Sequence, residues 1–229
     1  MLLNILSRGF TARDIPLILL RIPIILIALT VHEVAHGKAA LWMGDTTARD
    51  MGRLSLNPFR HIDPIGAIVM LIFGFGWAKP VPINARRFKN PKTGMALSAL
   101  AGPASNLILA FFGLVLLRLL YVVLPNEISP GFPFYLITTT ILFLMMFASM
   151  NMALAIFNLL PVPPLDGSRI LFGFLPNKLY FGIMRYERFI AAGIMVLLFL
   201  GVLDKPLTFL ISGALRGMGS LLGLKNLLW

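Results

Sequence analysis

Two of the three histidines in this 229-residue chain, His32 and His36, stand four positions apart, with Glu33 beside the first. On a helix that spacing carries both imidazoles to one side. Glu33 lies about 100° round from His32, within reach of a water on a metal shared by the pair. This is the H-E-x-x-H arrangement, in which two histidines hold zinc and the glutamate acts as general base. The motif closes an apolar run that begins near Ile15, and ionisable groups at membrane depth are costly enough to mark function. The plainer alternative is a helix end with two interfacial histidines and a glutamate snorkelling to water.

The elements that position these residues belong to a membrane protein. The chain is 58% hydrophobic and 13% charged, with a mean hydropathy of +0.88, a balance that no soluble core requires. Its net charge of +11 sits in loops without interleaved base-stacking aromatics. That pattern points to topology and contact with the lipid bilayer, and not to nucleic acid. Cysteine is absent, so disulfides and thiolate ligands are excluded and metal binding falls to histidine and carboxylate. No cleavable signal is evident, because the first apolar run is long, is interrupted by Arg21 and ends in the histidine pair.

Taken in order, residues 1–14 suit an interfacial segment, and Ile15 to about Trp42 a first span that contains Pro23. Residues 44–92 carry eight Lys or Arg against three Asp, which predicts a cytoplasmic connection. Within it, Ile65–Trp77 is apolar but too short to cross, and its glycines at 66, 74 and 76 favour a re-entrant segment over a regular helix. Trp77–Asn84 reads as extended, with Pro80 and Pro82 compatible with an edge strand or a stiff loop. His61 reads as a loop or interfacial residue and not a ligand. A second span, about 94–123, places Asn106 at membrane depth just after Gly102 and Pro103. An interhelical hydrogen bond would account for that amide.

The connection 124–132 bears Glu127 and no Lys or Arg, as an external loop should. The third span, about 134–160, stops at Pro161, Pro163 and Pro164, which forbid helix and leave Asp166 in unwound backbone. Capping of the next helix by Asp166 and Ser168 explains the aspartate but not the prolines. A basic connection at 173–188, a fourth span at about 189–203 and an interfacial helix from 205 to 229 complete the chain. The expectation is an all-α integral membrane protein in one domain, 1–229. It has about four transmembrane helices and a membrane-associated re-entrant or β-hairpin segment at about 44–92. The N-terminus is outside, and the histidine pair and Asp166 lie towards the cytoplasmic end.

Three motifs now stand on successive spans: His32-Glu33-x-x-His36, Gly102-Pro103-x-x-Asn106 and Asn158-x-x-Pro161-x-Pro163-x-x-Asp166-Gly167. Together they resemble the site-2 protease family of intramembrane zinc metalloproteases, over about residues 15–172. The resemblance implies one zinc ion, Asp166 as its third ligand, Glu33 as general base, and Asn106 and Asn158 as residues that hold substrate or transition state. It implies a membrane-embedded protein substrate, single-span, cut in or near its transmembrane segment. The chain looks like a compact member without an evident inserted regulatory domain, which leaves room for an unidentified regulatory partner.

The chemistry agrees with that resemblance. Two histidines and an aspartate leave one tetrahedral position open for water, as a hydrolytic zinc requires. Glu33, adjacent to His32, points away from a shared metal and suits the base better than a ligand. Asn106 would offer an amide to the developing oxyanion. A membrane zinc transporter or a proteolytically inactive scaffold is the competing class. The first should line a pathway with several acidic or histidine residues, of which these spans offer almost none outside Glu33 and Asp166, and the second should have lost the glutamate.

Overall fold

Apolar runs far longer than one crossing needs become three long helices. They are α1 (Asp14–Trp42, 29 residues), then a 33-residue helix over Pro91–Val123 and a 28-residue helix over Phe132–Leu159. About 20 residues suffice for the hydrocarbon core. The structure, a computed structural model, describes residues 14–73, 77–124, 131–176, 179, 182, 183 and 185–224. Between the first two long helices lie α2 (Thr47–Asp50) and α3 (Pro64–Phe73), with 3-10 turns at Pro58–Arg60 and Ala85–Arg87. The two remaining long helices are α4 and α5. After them come α6 (Asp166–Phe172), α7 (Glu187–Phe199) and α8 (Asp204–Leu221).

Local chemistry sets several boundaries. Asn90 caps α4 by accepting from the Thr93 N–H, and Pro91 follows at the position where a missing N–H costs nothing. Pro23 and Pro103 lie inside their helices, as membrane helices allow. The triple proline ends α5 as expected. The helix that follows it has Leu165 at its N-cap with no side-chain cap bond, so capping does not employ Asp166.

Helices α4 and α5 pack through Ala110, Leu114 and Leu117 against Leu144, Ala148 and Met152. Gly113 permits their approach, since a Cβ there would lie 3.0 Å from Phe147. A second cluster joins Ile25 and Leu29 of α1 to Met70 of α3. The outer faces carry Ile108, Phe112, Leu119 and Val122 exposed, as lipid-facing positions should. Among the described residues three helices are long and apolar enough to cross a membrane, and a fourth crossing arises if α7 and α8 form one broken span. The chain is an all-α membrane protein.

Three expectations change. The segment 64–73 is a regular helix despite Gly66, which is there because the Trp77 backbone passes too close for any Cβ. The hairpin reduces to one antiparallel bridge, Ile62 to Ala78, with the Lys79 N–H donating to His61 O at 2.8 Å. Prolines at 80 and 82 lack the donors that a longer ladder needs. Helices α7 and α8 meet at 84°, and the stripe of α8 (Ile211, Ala214, Leu215, Met218) packs on the α4–α5 cluster, so that its apolar face is covered by protein. Residues 1–13, Gly74, Gly76, Glu127, Lys178 and 225–229 lie outside the described residues.

Candidate metal centre

His32 and His36 sit one turn apart on α1, both buried, with ring centroids 4.5 Å apart and planes at 87°. Each ring is held from behind. His36 Nδ1 lies 2.7 Å from the carbonyl oxygen of Ser98, which can only accept, so Nδ1 carries the hydrogen. His32 Nδ1 lies 2.6 Å from Asn106 Oδ1 and donates likewise. Both Nε2 atoms therefore present lone pairs, and they face one another at 3.0 Å.

The unwound stretch after α5 brings Asp166 across to α1. Its Oδ2 lies 3.2 Å from each Nε2, so the two histidines and the aspartate form a group of candidate metal ligands. Two imidazole lone pairs and a carboxylate oxygen, all acceptors, repel one another unless a cation stands between them. Tetrahedral zinc with bonds of about 2.0–2.1 Å separates its ligands by about 3.3 Å, close to the separations found. The donor set fits zinc.

Packing keeps the corner tight. A Cβ on Gly102 would fall on His36 Nε2 and lie 2.7 Å from His32 Cε1, so α4 reaches the rings only because that position is glycine. Ser98 Oγ also donates to His36 O at 3.0 Å, tying the same two helices.

A cavity of about 480 Å³ opens on the three ligands and is lined also by Glu33, Trp77, Val81, Asn158 and Arg169. Glu33 is buried, and its Oε2 accepts the Val81 N–H at 2.7 Å. Asn158 lies in the cavity wall, donating one amide hydrogen to Leu154 O. Asn106 makes the interhelical hydrogen bonds that a buried amide in a span suggests. It is fully buried and outside the cavity lining, and its NH2 group donates to Asn151 Oδ1 at 2.8 Å and Ala28 O at 3.3 Å. Its amide thus bonds to the back of His32, to Asn151 and to Ala28. His61 stands apart from the ligand group, buried, with Nε2 on Ser55 O.

Sequence reasoning missed Ser98 and Asn151. Ser98 acts through its carbonyl, which every residue has, so no residue-type signal existed. Asn151 did carry one, as a second amide in an apolar span.

The model of peptidase family M50 matches residues 136–203, a stretch that contains Asn158 and Asp166. The chain is 45% identical over 152 residues to the "Putative zinc metalloprotease YwhC" of Bacillus subtilis (strain 168), an alignment covering 66% of this chain and 67% of that protein. Two proteins of the same description, both called Rip2, align over 62% of this chain and 52% of their own length. The one from Mycobacterium tuberculosis (strain ATCC 25618 / H37Rv) is 29% identical, and the one from Mycolicibacterium smegmatis (strain ATCC 700084 / mc(2)155) is 26% identical. The chain thus spans about half the length of the Rip2 proteins. No solved structure matches it.

Proposed function

This chain belongs to peptidase family M50, and from that premise we propose that it is a zinc-dependent intramembrane endopeptidase whose ligands are His32, His36 and Asp166 and whose general base is Glu33. The observation that carries the assignment is the meeting of two His Nε2 atoms and Asp166 Oδ2 within 3.2 Å at the edge of a cavity that Glu33 also lines.

When bound, zinc supplies a Lewis acid and brings the pKa of a water to about 7. The protein does the rest. The Val81 N–H holds one Glu33 oxygen and leaves the other to take a proton and return it to the leaving nitrogen. Ser98 and Asn106 keep both imidazoles in the tautomer that points a lone pair forward. Asn158 retains its Oδ1 and a second amide hydrogen for an extended backbone beside the ligands, a substrate-binding role.

The substrate on this reading is a membrane-embedded segment of a single-span protein, bound extended, because a helix hides its scissile carbonyls in hydrogen bonds. The basic connections at 44–92 and 173–188 face the cytoplasm, the N-terminus lies outside, the active site lies towards the cytoplasmic side, and 1–229 acts as one membrane-embedded unit. A transporter is not favoured. Beyond the motif residues, the charged side chains lining the cavity are Arg169 and Asp204, too few for an ion path. An inactive scaffold has no use for a buried glutamate at this place.

Purified variants test the assignment. Asp166→Asn is expected to lose bound zinc and proteolysis together. Glu33→Gln is expected to keep zinc, read by elemental analysis, and to lose cleavage of a co-reconstituted substrate by about 100-fold or more. Substantial proteolysis by Glu33→Gln would remove it as the base. Full zinc occupancy in Asp166→Asn would remove the third ligand.

A further inference from the structure

Behind His32 runs a chain of buried amides whose far member, Asn151, the proteolytic mechanism does not call upon. Asn151 of α5 donates its NH2 to the carbonyl oxygen of Phe147 at 2.9 Å. Its Oδ1 accepts from Asn106 at 2.8 Å, and Asn106 Oδ1 accepts from His32 Nδ1 at 2.6 Å. Both asparagines are fully buried.

The direction of this chain is set at its far end. A side-chain amide is nearly symmetric in shape and can turn by 180°, exchanging its oxygen for its NH2. A carbonyl oxygen cannot donate. Phe147 O therefore requires the NH2 of Asn151, which leaves Oδ1 of Asn151 to face Asn106. That oxygen in turn requires the NH2 of Asn106, which leaves Oδ1 of Asn106 to face His32. The imidazole then carries its hydrogen on Nδ1 and keeps Nε2 bare. Were Asn106 turned round, its NH2 would meet Nδ1, the hydrogen would move to Nε2, and the lone pair would be lost from the ligand corner. Ala28 O also restrains Asn106, but at 3.3 Å it is the weaker acceptor.

We propose that Asn151 is a positioning residue that sets the tautomer of His32 through Asn106, and so tunes the affinity of the site for zinc without touching the metal. The inference rests on His32 being a ligand. Outer partners of ligating histidines are worth about 10–100-fold in metal affinity, and Asn151 is the most distant member of such a shell.

The test is a double-mutant cycle on the full-length protein in detergent, reading zinc affinity by competition with a chelator. Asn151→Leu keeps the branched heavy-atom skeleton and removes the acceptor, and is expected to weaken zinc binding about tenfold or more. In an Asn106→Asp background the same change is expected to cost nothing, because a carboxylate has no donor end to misdirect and accepts from Nδ1 either way round. Asn151→Asp, which keeps an oxygen towards Asn106, is expected to bind zinc more tightly than Asn151→Leu, and it serves as the second variant should the leucine fail to fold. An equal loss in both backgrounds would mean that Asn151 only fills space, and would overturn the proposal, as would wild-type affinity in a folded Asn151→Leu. Zinc binding that survived His32→Ala at full affinity would instead overturn the ligand assignment, and this inference with it.

Discussion

Gly102 occupies a place where no side chain fits. Its Cα faces both imidazoles, and a methyl group there would overlap His36 Nε2 and crowd His32. Overpacking of this kind costs about 1–3 kcal/mol when it falls in a core, but here the strain falls on the ligand atoms themselves. Gly102→Ala is expected to lower zinc affinity by about tenfold or more while leaving a folded protein, checked by chelator competition beside a thermal melt. A variant with unchanged affinity would mean that α4 moves aside cheaply. Asn106, four residues on, serves the same corner from behind, and its amide is committed to that task.

At the scale of elements, the extended segment after α3 reaches Glu33 because its far end is anchored to the loop after α1. Asp45, fully buried, accepts from the Asn84 N–H at 2.6 Å and from the N–H and hydroxyl of Thr47. Burial alone would raise the Asp45 carboxyl. The bonds from Thr47 and Asn84, with Arg87 nearby, outweigh it and hold the group below its ordinary value of 3.8. The sign follows from that depression. The unfolded chain binds the proton more readily, so the stabilisation is complete above about pH 4 and is lost as pH falls through the lowered folded value. Asp45→Asn is expected to destabilise by about 1–3 kcal/mol at neutral pH and to flatten the acid limb of the melting profile. It should also reduce turnover, since the register of Val81 on Glu33 depends on this anchor. A melt as acid-sensitive as the wild type would assign the pH dependence elsewhere.

At the scale of the whole molecule, charge sets orientation and helicity sets the substrate. The basic residues of 44–92 predict that cysteines introduced at 86–92 react with impermeant reagent only from the cytoplasmic side. Labelling from outside would invert the proposed topology and the side of the active site. A substrate that must enter extended should be cut faster when its span contains Gly or Pro, because those residues make unwinding cheaper. Cleavage assays on a series of substrate spans check this. Rates insensitive to helix breakers, or cleavage only in soluble loops, would count against an intramembrane scissile bond.

Much of the candidate site was legible in the residues because it is local. A histidine pair four apart needs only one helix to face one way, and a run of prolines forbids helix whatever surrounds it. Composition alone required a membrane protein, and the lack of cysteine narrowed the ligands to imidazole and carboxylate. Pairing between helices was not legible. Asp166 lies 130 positions from His36, and only the packing of α6 beside α4 brings its carboxylate oxygen within 3.2 Å of the histidines on α1. The amide of Asn106 could have faced substrate or protein, and its direction was decided by Asn151, 45 residues away on another helix. The packing partner of α8 was hidden for a related reason. An apolar stripe fits a lipid surface and a neighbouring helix equally well, and the exposed stretch of α4 and α5 that α8 covers exists only once those helices have packed. Sequence spacing determines what one segment can present; which group meets it from across the bundle is decided by tertiary structure, because that choice depends on distances that no single segment contains.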